Sequence, residues 1–245
     1  MPCYKKIIPL ALYILLLSGC VTPKTKTQND LTFQEDILLK AKNYNGLINL
    51  YRSWLKGKED PNVRLKLARY YYLSGDYKSS LYYLQPLAGQ PDLNAYTLQA
   101  QNMIALGDYL RAQRVADRML ERDPQSAEAY NLRGIAMALS GKLSDGGGSI
   151  QKARDLFIAD DVAINNLAMI ALLDQRYQDA VGLLLPQYLR GRKHPRLLHN
   201  LVLALVKVGD IRYARDILRN ENLSDYPDEL LDALGRVGPL RKGTV

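Results

Sequence analysis

The chain carries the stretch Leu73-Ser74-Gly75-Asp76-Tyr77, and a close copy returns as Ala105-Leu106-Gly107-Asp108-Tyr109. Looser copies follow around Gly141, Gln175 and Gly209. The central residues of the five copies stand at positions 75, 107, 141, 175 and 209, which are 32, 34, 34 and 34 residues apart. Apolar residues at helical spacing flank these copies. A turn that recurs at a nearly constant period predicts an array of helical hairpins.

A period near 34 residues with a Gly-Asp-Tyr turn resembles the tetratricopeptide repeat, in which each repeat is one helix–turn–helix pair. The resemblance implies an all-α fold, a right-handed α-solenoid of about five to six helix pairs plus a C-terminal capping helix. A first, irregular pair is expected near residues 31–57, with Lys42-Asn43-Tyr44-Asn45 as its degraded turn. The regular pairs and the capping helix are then expected at residues 62–90, 93–123, 126–156, 160–189, 195–220 and 227–237.

The tetratricopeptide pattern also implies two small residues per repeat, at the point where the paired helices cross. Ala68 with Ser80, and Ala100 with Ala112, occupy these positions. Gly146-Gly147-Gly148 departs from the pattern near the start of a second helix. Because each glycine costs a helix interior about 1 kcal/mol relative to alanine, we expect a shortened, late or weak helix there, more mobile than its neighbours. We expect Pro186 to end or kink the second helix of its pair.

The N-terminus has the pattern of a secretory leader. Lys5 and Lys6 precede the apolar run 7–17, which is too short to span a bilayer. Leu17-Ser18-Gly19-Cys20 resembles a bacterial lipobox, which implies cleavage before Cys20 and acyl chains on that residue. The alternative is an ordinary secreted protein with an incidental cysteine. No aspartate follows Cys20, and in such lipoproteins this favours the outer membrane, with the chain facing the periplasm.

These features give a complete division of the chain. Residues 1–19 are the predicted lipoprotein signal peptide, 20–30 a flexible tether, 31–237 the solenoid and 238–245 a frayed tail. The remaining cysteine, Cys3, would leave with the leader, so the mature chain would have no disulfide partner for Cys20.

The sequence offers little for catalysis. His194 and His199 lack metal-ligand spacing, and no phosphate-binding or nucleophile motif occurs. The acidic pairs Glu35-Asp36 and Asp160-Asp161 are explained as favourable partners of helix N-termini. These features predict a protein that is not an enzyme and that uses no cofactor, metal or small-molecule substrate.

The net charge of +8 falls to +6 without Lys5 and Lys6, and acids and bases are otherwise interspersed. Nothing here resembles the basic, aromatic-rich surfaces that bind nucleic acid. The most basic patch lies around one loop and is either solvated or a site for an acidic partner or lipid headgroups; it comprises Arg190, Arg192, Lys193 and Arg196.

In the tetratricopeptide family, the first helices of the pairs line a concave face that binds protein segments. Carried over by position, this face includes amides that could recognise a peptide backbone, or could only link adjacent hairpins. Apolar neighbours would receive the partner's side chains. The predicted groove residues are Asn131, Asn165, Asn166, Met169, Leu172, His199, Asn200 and Leu203.

The C-terminal half, from Asn165-Asn166-Leu167-Ala168 through Arg176-Tyr177 to the stretch 199–210, resembles TadD, the accessory lipoprotein family of tight-adherence (Flp) pili. The resemblance covers about a third of the chain. It implies an outer-membrane scaffold that helps to assemble or localise a pilus secretion apparatus, with a secretin as the protein partner. The alternatives are a periplasmic adaptor that regulates envelope enzymes or proteases, and a type IV pilotin.

Overall fold

The computed structural model describes residues 28–87 and 92–238. Thirteen α-helices follow one another within these ranges. They are α1 Gln28–Lys40, α2 Tyr44–Gly57, α3 Pro61–Leu73, α4 Tyr77–Leu84, α5 Leu93–Ala105, α6 Tyr109–Arg122, α7 Ala127–Leu139, α8 Leu143–Asp155, α9 Asp160–Leu173, α10 Tyr177–Leu189, α11 Pro195–Val208, α12 Ile211–Asn220 and α13 Pro227–Arg236. A short 3-10 helix, Gln85–Leu87, extends α4.

Consecutive helices form six antiparallel pairs, pair one (α1, α2) to pair six (α11, α12), and α13 packs on α11 and α12. We call the two members of each pair helix A and helix B. Each helix A also contacts the helix B of the preceding pair, so the array is continuous. The predicted all-α solenoid, with its pairs and its capping helix, is confirmed.

The Gly-Asp turn specifies the end of one helix and the start of the next. Gly75 has a φ of +84°, a left-handed conformation that glycine adopts without steric cost. Asp76 then caps α4, because its side-chain oxygen accepts a hydrogen bond from the Ser79 N–H at 3.0 Å. The same arrangement recurs at Gly107-Asp108 and Gly209-Asp210.

The other turns keep this backbone geometry without the full sequence. Gly141 has a φ of +91°, and Gln175 and Lys42 are left-handed at +58° and +51° although they carry side chains. Helix B begins two residues after the left-handed position in all six pairs, at Tyr44, Tyr77, Tyr109, Leu143, Tyr177 and Ile211. The five predicted turns and the degraded turn of pair one are therefore confirmed.

Small residues stand where helices A and B cross. Ala68, Ser80, Ala100 and Ala112 are completely buried. The Ser80 hydroxyl donates a hydrogen bond to the Ala68 carbonyl at 2.7 Å, so the polar atom is satisfied at the crossing. Any larger side chain there would separate the paired helices, which explains why the sequence keeps these positions small.

The prediction of a shortened or late helix at the glycine run is wrong. Helix α8 has 13 residues and begins in register at Leu143. Gly146 lies at the crossing with α7, opposite Gly134, where a Cβ atom would come within 2.7 Å of the Gly134 carbonyl oxygen. Gly147 and Gly148 meet nothing within 4 Å. Only Gly146 is required by packing, and the close contact of α7 and α8 offsets the poor helix propensity of the run.

Pro186 does not end its helix. Helix α10 continues to Leu189, where the left-handed Gly191 follows. Gln187, directly after the proline, is buried, and Tyr188 packs against the apolar core around α11. Packing of the last turn therefore outweighs the hydrogen bond that proline cannot donate.

The two ends of the solenoid differ in how they are closed. At the C-terminal end, Leu231 of α13 is buried in the largest apolar cluster, which also contains Leu201 and Leu205 of α11. At the N-terminal end, α1 begins at Gln28, so three residues predicted as tether are helical. The predicted signal peptide, Cys20 and residues 239–245 lie outside the described residues, and the divisions proposed for them stay predictions.

Candidate functional site: the concave face

The helices A carry the predicted groove residues. Asn131 lies on α7, the set Asn165, Asn166, Met169 and Leu172 on α9, and the set His199, Asn200 and Leu203 on α11. These are the helices A of pairs four, five and six, which follow one another in the array. The structure thus places all eight on one continuous row of helices.

The amides bond to one another between pairs. Asn166 Nδ2 donates to Asn131 Oδ1 at 2.7 Å, and Asn200 Nδ2 donates to Asn165 Oδ1 at 3.1 Å. Each bond joins residues 35 positions apart and so ties one helix A to the next. Asn131, Asn165 and Asn166 are buried. The interpretation that these amides link adjacent hairpins is confirmed, while ligand recognition by them stays a prediction.

A double-mutant cycle measures this link. Asn131→Ala should lower the free energy of unfolding by about 1–2 kcal/mol, because the buried Asn166 amide loses its acceptor. Once Asn166 is already alanine, the same change at Asn131 should matter much less, which gives a coupling energy of about 1 kcal/mol. Denaturant unfolding of the four proteins checks this. If the two substitutions lower the stability by strictly additive amounts, the hydrogen bond between Asn131 and Asn166 contributes nothing to stability.

Apolar side chains next to the amides remain accessible. Met169, Leu172 and Leu203 are each partly exposed, and His199 is exposed on the first turns of α11. Leu172 packs against the core of pairs five and six on one side. The accessible part of the predicted groove therefore combines three partly exposed apolar side chains with the exposed His199, while Asn131, Asn165 and Asn166 are buried.

The repeat register also assigns Tyr72 and Arg196 to the concave face. Tyr72 is on α3 of pair two and Arg196 on α11 of pair six. Burial and the neighbouring Tyr77 raise the pKa of the Tyr72 phenol, and the charge of Arg196 acts in the opposite direction.

Glu128 is a site residue that sequence reasoning missed. It lies in the first turn of α7, beside Asn131 on the same helix, and burial raises the pKa of its carboxyl group. Its position in the repeat matches that of Arg196 in pair six, so the repeat register was the signal that could have identified it. The groove therefore contains a partly desolvated acid as well as bases.

A second missed feature is a polar network between pairs one and two. Glu35 was explained by a helix N-terminus, but it is the eighth residue of α1, so that explanation is wrong for it. Glu35 is buried and accepts hydrogen bonds from Lys66 at 3.0 and 3.1 Å and from the Tyr70 hydroxyl. Lys66 also donates to the Tyr51 hydroxyl at 3.2 Å. For Asp160 and Asp161 the explanation is confirmed, since both lie in the first turn of α9.

The network shifts the pKa values of its members. Burial acts to raise the pKa of Glu35, but hydrogen bonds from Tyr70, Tyr51 and Lys66 and the charge of Lys66 outweigh it, and the net pKa is lowered. Burial and the Glu35 carboxylate raise the pKa of both tyrosines. The carboxylate is thus held ionised between neutral phenols, and it fastens α1 to α3.

The basic loop is partly neutralised. Lys193 pairs with Glu221 at 2.7 Å, and Arg192 lies 3.8 Å from Asp161. Arg196 lies in the first turn of α11, in the repeat position assigned to the concave face. The patch is thus less basic than its sequence indicates.

The described residues contain a surface cleft but no cluster suited to a metal ion. No group of three or more His, Cys, Asp or Glu is placed to hold a metal ion among residues 28–87 and 92–238. His194 caps α11 by accepting the Leu197 N–H at Nδ1, 3.2 Å away. A surface cleft of about 550 Å³ lies beside Phe157 and Asp160, between α8 and α9. Among the helices that the structure describes, none has the length and apolar character needed to cross a membrane.

Comparison with known proteins gives the same fold. No protein-family model and no curated sequence matches the chain. A thermophilic tetratricopeptide-repeat protein of Thermus thermophilus superimposes with a TM-score of 0.63 at 21% identity, covering 73% of this chain and 98% of its own.

Two further solved structures agree. A tetratricopeptide-repeat protein of Parabacteroides merdae has a TM-score of 0.73 at 15% identity, covering 85% of this chain and 82% of its own. MamA of Desulfovibrio magneticus has a TM-score of 0.53 at 18% identity, covering 67% of this chain and 97% of its own. At these identities the likeness concerns the fold, and the chain has the tetratricopeptide-repeat α-solenoid fold.

Proposed function

We propose that the protein is a non-enzymatic scaffold that binds a protein partner in its concave groove. The observation that carries this is the row of partly exposed apolar side chains, Met169, Leu172 and Leu203, on two adjacent helices A. The linked asparagines behind them hold α7, α9 and α11 in a fixed register. A preorganised apolar row suits an extended or helical segment of another protein.

The more specific proposal is an outer-membrane lipoprotein that assists assembly or localisation of a Flp-type pilus secretion apparatus, with a secretin as partner. Its support is the leader that ends in Leu17-Ser18-Gly19-Cys20 and the resemblance of the C-terminal half to TadD. Several acyl chains on Cys20 would make a stable anchor, where a single chain gives only marginal binding. The anchored solenoid would face the periplasm.

A periplasmic adaptor for envelope enzymes or proteases uses the same groove and is the second candidate, and a type IV pilotin is a third. Gene neighbourhood separates them. A cluster that encodes a secretin, a pilus ATPase and prepilins favours the first proposal.

Substitution in the apolar row tests the groove. Leu203→Gln and Met169→Gln should each weaken capture of the membrane partner at least tenfold, which corresponds to about 1.4 kcal/mol of binding free energy. Leu110→Gln is the matched control, because Leu110 is an exposed leucine on α6, a helix B. Pull-down from membranes with each variant, after its thermal unfolding is checked, gives the answer. Equal capture by all three variants would place the binding surface elsewhere.

Replacement of the anchor tests the location. Cys20→Ala should leave the protein unacylated and remove it from the outer-membrane fraction. Fractionation and metabolic labelling with a fatty acid measure both effects. If secretin assembly continues unchanged in this strain, the lipid-anchored assembly role is excluded.

A further inference from the structure

Helix α1 carries large apolar residues on both its buried side and its exposed side. Leu31 and Glu35 are buried against the solenoid. On the other side, Phe33 is 67% exposed and Ile37, one turn later, is 50% exposed. The chain has only two phenylalanines, and the structure leaves Phe33 in contact with solvent over most of its surface.

This outward face is unusual for its place in the fold. The first helix of a solenoid has no neighbour outside it, and such capping helices normally present polar residues to water. The network of Glu35, Lys66 and Tyr70 fixes the rotation of α1, so Phe33 and Ile37 cannot turn inward without breaking it. The buried Glu35 carboxylate therefore keeps Phe33 and Ile37 on the solvent-facing side of α1.

The tether limits what this face can meet. Seven residues separate Cys20 from Gln28, the first residue of α1, and the eight residue-to-residue steps span at most about 29 Å. The intervening stretch 21–27 contains Lys24 and Lys26 and no acid. A lipid anchor at Cys20 would therefore keep α1 within reach of the bilayer surface, with basic residues beside the headgroups.

We propose that α1 lies against the membrane that anchors the chain, with Phe33 and Ile37 inserted at the boundary between headgroups and acyl chains. The proposal rests on the lipid anchor of the proposed function. Because the anchor already holds the chain at the bilayer, contact between α1 and the membrane is intramolecular. A small apolar face is then sufficient to keep α1 on the membrane. It is too small for a stable dimer, because a specific interface buries about 800 Å² on each partner and this face is two side chains of one helix.

The test uses tryptophan as a depth probe. Trp54 is the single tryptophan of the chain, and Trp54→Phe keeps an aromatic ring beside Tyr51. Into this background we introduce Phe33→Trp or, as the matched control, Phe157→Trp. Phe157 is 92% exposed, on the turn between α8 and α9. The chain from Cys20 onward is coupled through its cysteine to a maleimide lipid in phosphatidylcholine–phosphatidylglycerol vesicles with brominated acyl chains.

The brominated acyl chains should quench the fluorescence of the tryptophan at position 33 at least twice as strongly as that of the tryptophan at position 157. Equal quenching, or stronger quenching at position 157, would overturn the proposal. So would a blue shift of the tryptophan at position 33 that depends on protein concentration in the absence of vesicles, because that indicates a second copy on this face. The serine variant Ile37→Ser should lower the quenching at position 33, with circular dichroism as the check that α1 stays folded.

This experiment separates the inference from the proposed function. Chemical coupling supplies the anchor, so the quenching does not depend on whether cells acylate Cys20. Failure of acylation in cells, measured by fatty-acid labelling, would remove the proposed localisation and leave the quenching result intact.

Discussion

Valine in place of Gly146 should destabilise the solenoid by about 3 kcal/mol, the upper part of the range for overpacked sites. A Cβ atom there would lie 2.7 Å from the Gly134 carbonyl oxygen and 2.9 Å from the Ala138 backbone nitrogen. Both are backbone atoms, so no side-chain rotation relieves the contact, and α7 and α8 must separate. Denaturant unfolding of wild type and variant measures the loss.

The adjacent glycines supply matched controls. Gly147→Ala and Gly148→Ala meet no atom within 4 Å, and each should raise the stability by about 0.5–1 kcal/mol, because alanine favours a helix interior. Opposite signs within one triplet would establish that Gly146 is kept for packing. A gain of stability from Gly146→Ala as well would contradict the close crossing of α7 and α8.

Loss of the Glu35 carboxylate has the second largest expected effect. Glu35→Ala should lower the free energy of unfolding by about 2–3 kcal/mol, because it leaves Tyr51, Lys66 and Tyr70 without their shared acceptor. Because α1 reaches α3 through this residue, its protection against hydrogen exchange should fall more than that of α11. Equal loss of protection in both helices would show that Glu35 does not act locally.

The same residue predicts a pH dependence. The folded pKa of Glu35 is lowered, so its stabilisation is complete above the unfolded value of about 4.3 and is lost as pH falls through the folded pKa. The stability difference between wild type and Glu35→Gln should therefore shrink as pH falls below about 5. The control is Glu59→Gln, since Glu59 pairs with Arg64 at 2.5 Å but is exposed, and its removal should change little. Parallel pH curves for wild type and Glu35→Gln would contradict the network.

The sequence predicts the repeat geometry well because that geometry depends on one recurring turn. Gly75 and Asp76 act through backbone conformation and a local cap, and both effects are encoded within a few residues. Gly146 was misjudged because helix propensity treats the three glycines alike, while only contact with α7 distinguishes one of them. The expected end of α10 at Pro186 was wrong for the same reason, since the packing of Tyr188 lets the helix continue, while the alternative of a kink stays a prediction.

The sequence predicts where the candidate site lies better than it predicts which partners its side chains contact. Repeat register places Asn131, Asn165 and Asn166 on the concave row, but their partners lie 35 residues away and only the structure identifies them. Glu35 shows the same limit, because its partner Lys66 lies 31 residues further along the chain and pattern analysis of α1 does not reveal it.

The hydrogen bonds that tie α7, α9 and α11 together have a kinetic consequence. A groove whose helices are already held in register needs no rearrangement before a partner segment binds. Association should then be limited by diffusion and by the ordering of the partner segment, rather than by a slow change in the solenoid.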